Sequence, residues 1–360
     1  MHTIVTTQEG LAEFAARLES LDGIGLDTEF LRERTYRAEL CLLQLSAGSD
    51  AVCVDPLALT DLTPLTKALT SPGPVKVMHA CRQDLEVLHP AVGLVRPVFD
   101  TQIAAALAGM PAQIGYAELV RRLLGHELPK AHTRTDWSRR PLSPEQLDYA
   151  RDDVRYLLPL KAQLEDQLAK LDRLDWLAEE LAELDDASAI TTAPGDAWLR
   201  IKGLRSLDAD RTRLARELGA WRERRAAERN RPRGWILDDA AIRDIVIRVP
   251  RTIEDLASVS EMPPSILRHC GDELLECVRV AGIPEPPAPI EQRQRPDPVK
   301  AALVKTLGAL NQSIAGELGL SPELLATRRD LEQLVDGKRD VGVLRGWRRT
   351  VVGERMLAAL

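Results

Sequence analysis

Two acidic residues, Asp27 and Glu29, lie two positions apart in the segment LDTEF, which the surrounding pattern predicts to be a β-strand. Because side chains alternate between the two faces of a strand, both carboxylates project on the same side and can share one cation. Flanked by Leu26 and Phe30, they carry a desolvation cost unless a metal, a salt bridge or water satisfies them. Taken alone, the pair is more typical of an exposed sheet face than of a metal site.

Two later segments carry further carboxylates. In VKVMHACRQDLEVL, Asp84 lies near the start of a predicted helix, where its charge also suits the helix dipole. In LDYARDDVRYLLPL, Tyr149 and Asp153 are four residues apart and therefore neighbours on one helical face. Asp152 points about 100° away around the helix. Only one member of the Asp152–Asp153 pair should therefore face a site.

Several carboxylates gathered in one place repel one another, so the arrangement makes sense chiefly if cations neutralise it. Ligand sets made only of oxygen favour Mg²⁺ or Mn²⁺ over the nitrogen and sulfur coordination typical of zinc. Two such ions about 3.5–4 Å apart stabilise the attacking and leaving oxygens of an in-line phosphoryl displacement. The combination predicts nuclease chemistry.

The elements that would position these residues are predicted from hydrophobic patterning. A short polar connection follows the first predicted strand and another turn-like break follows the second, which favours antiparallel neighbours within a mixed α/β sheet. After residue 159 leucines recur at helical spacing and strands become scarce. The predicted strands cover residues 24–31, 40–46, 51–56 and 75–80.

The chain of 360 residues is too long for one hydrophobic core, and two breaks divide it. The segment DASAITTAPGDA is small and polar, and IPEPPAPIEQRQRPDP has six prolines in sixteen residues. The predicted parts are a catalytic domain (1–185), a linker (186–195), a helical module (196–283), a proline-rich linker (284–297) and a second helical module (298–360).

Composition limits the class of protein. Hydrophobic residues make up 44% and charged residues 29%, as in folded globular proteins. The net charge of −7 argues against nonspecific coating of nucleic acid, although residues 211–233 hold nine arginines and three glutamates. The beginning of the sequence shows no secretion signal, and the five cysteines form no CxxC pair. We therefore expect a cytoplasmic protein with reduced thiols and no membrane segment.

The segments LDTEF, HACRQDLEVL and YARDDVRYL, in this order, resemble the three motifs of the DEDDy class of 3′-to-5′ exonucleases, and specifically the ribonuclease D family. The resemblance implies an α/β ribonuclease H-like exonuclease domain, a mixed sheet flanked by helices. It also implies that Asp27, Glu29, Asp84 and Asp153 bind two divalent metal ions, Mg²⁺ or Mn²⁺. Tyr149 would orient the attacking water, since a phenol with a pKa near 10 is a poor general base.

The segment LPKAHTRTDWSRRPLSPEQ resembles the family's approach to the catalytic helix. Within it, Trp137 is predicted to be a packing residue and Ser143 a helix cap. His79, beside the second motif, is predicted to be structural. The basic residues that could contact RNA phosphates in this segment are Lys130, Arg134, Arg139 and Arg140.

Residues 196–283 resemble the HRDC domain, a helical bundle, and 298–360 resemble a second, diverged copy. The resemblance implies two all-α modules that dock RNA, with Arg222 and Arg225 near Trp221 contacting phosphates. Trp198 and Trp221 are more typical of the bundle core than of base stacking. Deleting residues 195–360 is therefore expected mainly to weaken RNA binding.

Together these features predict a 3′-to-5′ exoribonuclease that releases 5′-mononucleotides and trims the 3′ ends of tRNA precursors and other small structured RNAs. RNA is the expected partner, and the protein is expected to be a monomer with no obligate protein partner. Two alternatives stay open: a 3′-to-5′ DNA exonuclease, and a catalytically silent RNA-docking protein that retains the fold.

Overall fold

A computed structural model of the chain describes residues 4–48, 50–129, 135–190, 193–204, 207–284 and 297–360, apart from the side chains of 188 and 189. The chain divides into two compact units. The first comprises Met1–Phe30, Leu40–Ile190 and Gln294–Leu360, and the second comprises Leu31–Glu39 and Thr191–Arg293.

A mixed sheet lies in the first unit, in the order β1-β4-β3-β2-β5-β6. β3 and β4 pair antiparallel, whereas β4 with β1, β2 with β5, and β5 with β6 pair parallel. This confirms the predicted mixed α/β sheet. β1 and β6 were missed because two or three residues show no alternation. The strands among the described residues are β1 (Ile4–Val5), β2 (Gly23–Leu31), β3 (Glu39–Ala47), β4 (Asp50–Val54), β5 (Val75–Met78) and β6 (Val98–Asp100).

Helices flank the sheet in the first unit, and no described helix is both long and apolar enough to cross a membrane. Short 3₁₀ turns cover Glu183–Asp185 and Gly342–Leu344, and a π-helical turn covers Arg349–Gly353. The helices before residue 191 are α1 (Gln8–Leu18), α2 (Thr63–Thr70), α3 (Arg82–Val92), α4 (Thr101–Leu107), α5 (Tyr116–Leu124), α6 (Pro144–Arg155), α7 (Leu157–Lys170), α8 (Leu174–Ala182) and α9 (Ala187–Ile190).

The second unit includes the segment Leu31–Glu39, and after residue 192 its described elements are helices, of which the first is a 3₁₀ segment, Pro194–Arg200. Its core contains Trp198 and Trp221, which are 8% and 6% exposed, as expected for bundle residues. Its helices are α10 (Ala209–Arg229), α11 (Arg233–Ile236), α12 (Asp239–Arg248), α13 (Ile253–Ala257) and α14 (Pro264–Ala281).

The C-terminal helices belong to the first unit and share its core. Trp347 stacks on Trp176 of α8 with ring centroids 4.4 Å apart, and its backbone N–H donates to Glu179 at 2.7 Å. Buried Arg173 donates to the carbonyl oxygens of Leu107 and Leu318. These helices are α15 (Pro298–Leu318), α16 (Pro322–Leu325), α17 (Arg328–Val335), α18 (Gly346–Arg348) and α19 (Glu354–Ala358).

This shared core corrects one expectation from the sequence. Deleting residues 195–360 would uncover apolar side chains of α7 and α8 that pack against the C-terminal helices. Burial of such side chains stabilises a fold by about 1.5–3 kcal/mol each. The deletion is therefore expected to destabilise the exonuclease fold, beyond any effect on RNA binding.

Candidate active site

Asp27 and Glu29 lie on one face of β2, and the residues between and before them point the other way. Leu26 is fully buried and Thr28 nearly so, whereas both acids are only partly buried. The alternation predicted from the sequence is therefore present. β2 lies inside the sheet between β3 and β5, so it presents the two carboxylates from a rigid central strand.

Asp84 lies in the first turn of α3, the helix that follows β5, and it is buried. The Thr28 hydroxyl of β2 donates a hydrogen bond to Asp84 Oδ1 at 2.5 Å. Because β2 and β5 are parallel neighbours, the helix after β5 starts beside the end of β2 that carries the acids. The order of the strands therefore places the segment that contains Asp84 beside the segment that contains Asp27 and Glu29.

The turn between β5 and α3 is fixed by a residue that the sequence did not single out. Asp100, which is buried, accepts hydrogen bonds from the backbone N–H groups of Ala80 at 3.1 Å and Cys81 at 2.9 Å. It also caps α4 by accepting from Gln102 N at 2.8 Å. Ala80 has φ of +54°, so these bonds hold an unfavourable backbone conformation. An aspartate directly before a helical pattern was the available signal.

The third segment, α6, is capped as predicted. Ser143 accepts from Gln146 N, and the Gln146 side chain accepts in return from Ser143 N at 2.7 Å. Tyr149 donates a hydrogen bond to Asp153, one turn later on the helix. Buried Trp137 stacks against Tyr149 with ring centroids 6.1 Å apart, which confirms Trp137 as a packing residue and restricts the phenol.

Asp152 faces a different environment from Asp153. Its carboxylate forms an ion pair with Arg155 at 2.5 Å, and its carbonyl oxygen accepts from the Tyr116 hydroxyl at 3.0 Å. Asp153, in contrast, is the acid that raises the pKa values of Asp27 and Glu29 by proximity. The helix register therefore presents Asp153 to the acids of β2.

Close approach of α6 to β2 depends on Gly25, which the sequence did not single out. A Cβ added at Gly25 would overlap Ser46 Oγ and lie only 2.9 Å from the carbonyl oxygen of Val154. Gly25 N donates to that same Ser46 oxygen at 3.1 Å. Val154 is the residue after Asp153, so the missing side chain lets the helix backbone rest directly on the strand.

Burial and mutual repulsion shape the charge of the four acids. The pKa of Asp27 is raised well above its ordinary value by burial and then by Asp84, Asp153 and Glu29. Burial, followed by repulsion from Asp153 and Asp84, raises the pKa of Glu29 to about 8. Burial raises the pKa of Asp153 to about 7 and that of Asp84 to about 6. The four acids thus form one electrostatic cluster.

The cluster fits divalent cations by its chemistry. Among the described residues, no basic side chain is found to lower the pKa of these four acids. Their negative charge therefore lacks a counterion within the described part of the chain. In the described ranges, no group of three acidic, histidine or cysteine side chains is already arranged around a metal-binding position. Repulsion among uncompensated carboxylates opposes such an arrangement. Hard cations with oxygen ligands would relieve this repulsion.

This charge pattern predicts how stability depends on pH and metal. Folding raises the pKa of each acid, so the folded protein binds more protons than the unfolded chain between the ordinary carboxyl value of 4.5 and about 8. The free energy of unfolding without metal should therefore fall as pH rises through this range. Bound Mg²⁺ should offset the loss, so the melting temperature gained on adding Mg²⁺ should be larger at pH 8 than at pH 5. A gain independent of pH in a thermal melt would contradict the cluster as a cation site.

His79 is structural in this arrangement, as predicted. Its Nδ1 lies 2.9 Å from Thr101 Oγ1 and its Nε2 lies 3.0 Å from the carbonyl oxygen of Ile114. Burial lowers the pKa of His79. Both ring nitrogens are engaged by neighbouring protein groups, so the ring bridges α4 and the loop before α5.

The basic residues near the site divide by environment. Lys130 and Arg134 lie outside the described residues. Arg139 is exposed and paired with Asp136 at 3.1 Å, an arrangement compatible with phosphate contact. Arg140 instead donates to Asp55 and to the carbonyl oxygen of Cys41, both at 2.6 Å. The prediction that Arg140 contacts a phosphate is therefore wrong. Arg140 instead connects its loop to the sheet.

In the second unit the predicted phosphate contacts also change. Arg222 is buried, donating to the carbonyl oxygen of Leu237 at 3.0 Å and pairing with Asp239 at 2.7 Å. It is therefore structural, because contact with a phosphate would break these bonds. Arg225 is partly buried and lies 3.3 Å from Glu273. The helical spacing could not show which arginines face inward, since a guanidinium can bury its stem and bond carbonyls.

Comparisons with known proteins extend these observations. Residues 2–169 match the 3′-5′ exonuclease family, and residues 211–278 match the HRDC domain. The chain is 40% identical to a ribonuclease D of Jannaschia sp. over all of this chain and 95% of that one. It is 38% identical to a ribonuclease D of Nitrobacter hamburgensis, covering 99% and 94%. The crystal structure of Escherichia coli RNase D superposes with a TM-score of 0.86 at 31% identity, covering 100% of this chain and 98% of that one.

Proposed function

The chain belongs to the ribonuclease D family of 3′-to-5′ exoribonucleases, and we propose that it trims the 3′ ends of tRNA precursors and other small structured RNAs with the aid of two divalent cations. The observation that carries the proposal is the electrostatic cluster of Asp27, Glu29, Asp84 and Asp153. Three segments far apart in sequence supply it, and the described part of the chain provides no basic side chain to neutralise it.

The four carboxylates would hold the cations, Mg²⁺ or Mn²⁺. The chemistry that two such ions supply when bound is stabilisation of the attacking and leaving oxygens of an in-line displacement. In the reaction, a water oxygen forms a bond to the terminal phosphorus and the bond from phosphorus to the preceding 3′ oxygen breaks. The products are a 5′-mononucleotide and an RNA shortened by one nucleotide with a free 3′ hydroxyl.

Tyr149 contributes orientation. Burial and the nearby charges of Asp153 and Glu29 raise its pKa above the ordinary phenol value, so it is a neutral hydrogen-bond donor at pH 7. Its hydroxyl already donates to Asp153, and Trp137 fixes its ring. Because this single O–H is donated to Asp153, the phenol oxygen would align the attacking water by accepting a hydrogen bond from it, without taking its proton.

Several observations support RNA and the cytoplasm as the setting. Escherichia coli RNase D is described as an exoribonuclease involved in structured RNA processing. All five cysteines are free and buried, as expected where thiols stay reduced. We propose that the protein acts on RNA there as a monomer, with the HRDC module as an additional RNA-docking surface.

The substrate is tested with a tRNA precursor that carries a short single-stranded 3′ extension. We expect stepwise loss of single nucleotides from the extension and a marked slowing at the paired acceptor stem. An otherwise identical precursor ending in a 3′ phosphate should resist, since its free 3′ hydroxyl end is replaced by a charged group that the carboxylates would repel. Internal cleavage, or equal attack on the blocked precursor, would contradict the proposal.

A further inference from the structure

Trp235, in the short helix α11 of the second unit, is held out into solvent. Its side chain is 57% exposed, whereas Trp198 and Trp221 in the same unit are 8% and 6% exposed. An exposed indole of this size leaves a large apolar surface in water. Its exposure therefore calls for a role other than packing.

The backbone around Trp235 is fixed, so the exposure is built into the fold. The next two residues, Ile236 and Leu237, are 4% and 0% exposed and belong to the core of the second unit. Trp235 N donates to the carbonyl oxygen of Pro232 at 2.9 Å, and Arg222 holds the carbonyl oxygen of Leu237. Burying its neighbours leaves the indole pointing outward as a preorganised surface.

A cationic side chain lies beside this surface. The Arg231 guanidinium lies 5.7 Å from the centre of the Trp235 ring. Arg229 and Arg231 are both exposed, and no ion pair to either is found within the described ranges. Neighbouring Arg233 differs, since it is bound by Glu223 and lies 4.6 Å from the Tyr36 ring centre. Arg231 thus remains available beside the tryptophan, and exposed Arg229 lies two residues earlier in the chain.

We propose that Trp235 is a stacking platform for an unpaired nucleobase of the RNA substrate, with Arg231 contacting an adjoining phosphate. An aromatic face beside cationic side chains is the arrangement that binds single-stranded nucleic acid without sequence preference, because every base has a π-face. The identity of the ligand as RNA rests on the proposed function. The proposal of stacking itself depends on the exposure of the indole, the fixed backbone around it and the neighbouring positive charge.

The platform is tested by RNA affinity in the full chain. With EDTA present to prevent hydrolysis, Trp235→Ala should weaken binding of a single-stranded RNA of about 12 nucleotides by about 10-fold, within the range for loss of one stacked base. Trp235→Phe should recover most of the affinity. Val280→Ala is the matched control, since Val280 is 58% exposed in the same unit but has no aromatic face. Equal affinities for Trp235→Ala and wild type would overturn the inference.

A second experiment separates base stacking from a general loss of affinity. Single abasic sites are placed along the same RNA. For the wild-type protein, at least one abasic site should lower the RNA affinity about as much as Trp235→Ala does. For the Trp235→Ala variant, the same abasic site should lower the affinity little further. Equal losses of affinity in the two proteins would overturn stacking at Trp235. Wild-type protein that binds in this pattern yet releases no mononucleotides from RNA would contradict the proposed function and leave the platform intact.

Discussion

Replacing Asp27 with asparagine is expected to lower the rate of mononucleotide release by at least about 10³-fold, on the order of 4 kcal/mol in the activation free energy. The amide keeps the size of the side chain but removes the charge that would hold a cation. Asp153→Asn should have an effect of the same order. Folding should survive, and the metal-free protein should melt at a higher temperature, because Asp27 is repelled by three neighbouring acids.

The chain supplies a matched control in the neighbouring acid. Asp152→Asn removes the same charge from the same helix, but the Asp152 carboxylate pairs with Arg155. We expect its turnover to stay within a few-fold of wild type. Turnover should be measured at saturating Mg²⁺ and RNA, with circular dichroism to verify folding. Near-normal turnover of folded Asp27→Asn, or an equal loss in Asp152→Asn, would overturn the ligand assignment.

Replacing Gly25 with alanine is expected to lower turnover by about 10²-fold without removing any functional group. The added methyl would lie 2.9 Å from the Val154 carbonyl oxygen, so α6 must move away from β2. That movement carries Asp153 and Tyr149 with it. A misplacement of about 1 Å in a catalytic constellation can cost about 10²-fold in rate. A higher Mg²⁺ concentration for half-maximal activity should accompany the loss, because one ligand has shifted.

Gly23, two residues earlier on the same strand, provides the comparison. A methyl there would lie 3.0 Å from the Leu158 Cδ2 atom, the far end of a flexible side chain that can rotate aside. Gly23→Ala should therefore lose little activity and keep its Mg²⁺ requirement. If Gly25→Ala behaved like Gly23→Ala in both measurements, the close approach of α6 would have no part in placing Asp153.

The sequence predicted the strand that carries Asp27 and Glu29, since alternation on a strand needs only local information. It also predicted that Tyr149 and Asp153 share a helical face. Gly25 and Asp100 were not predicted, because their importance lies in contacts with Val154 and Ala80, which are remote in sequence. Only the folded arrangement shows which backbone groups these residues meet.

Larger-scale features were harder to predict for a similar reason. The linker composition suggested an independent C-terminal module, yet Trp347 stacks on Trp176 within one compact unit. An amphipathic helix shows that it has an apolar face without showing which surface covers that face. Likewise, a run of arginines signals charge, but the inward orientation of Arg222 follows from the tertiary fold.

The catalytic role of the four carboxylates is tested by release of 5′-mononucleotides from matched RNA and DNA oligonucleotides, with free or blocked 3′ ends, in Mg²⁺, Mn²⁺ or EDTA. We predict metal-dependent release from unblocked RNA by wild type, none in EDTA, and almost none by Asp27→Asn. Efficient release from DNA alone would instead indicate a DNA exonuclease. No release under any condition, with RNA binding intact, would indicate a docking protein and contradict the carboxylate cluster as a catalytic metal site.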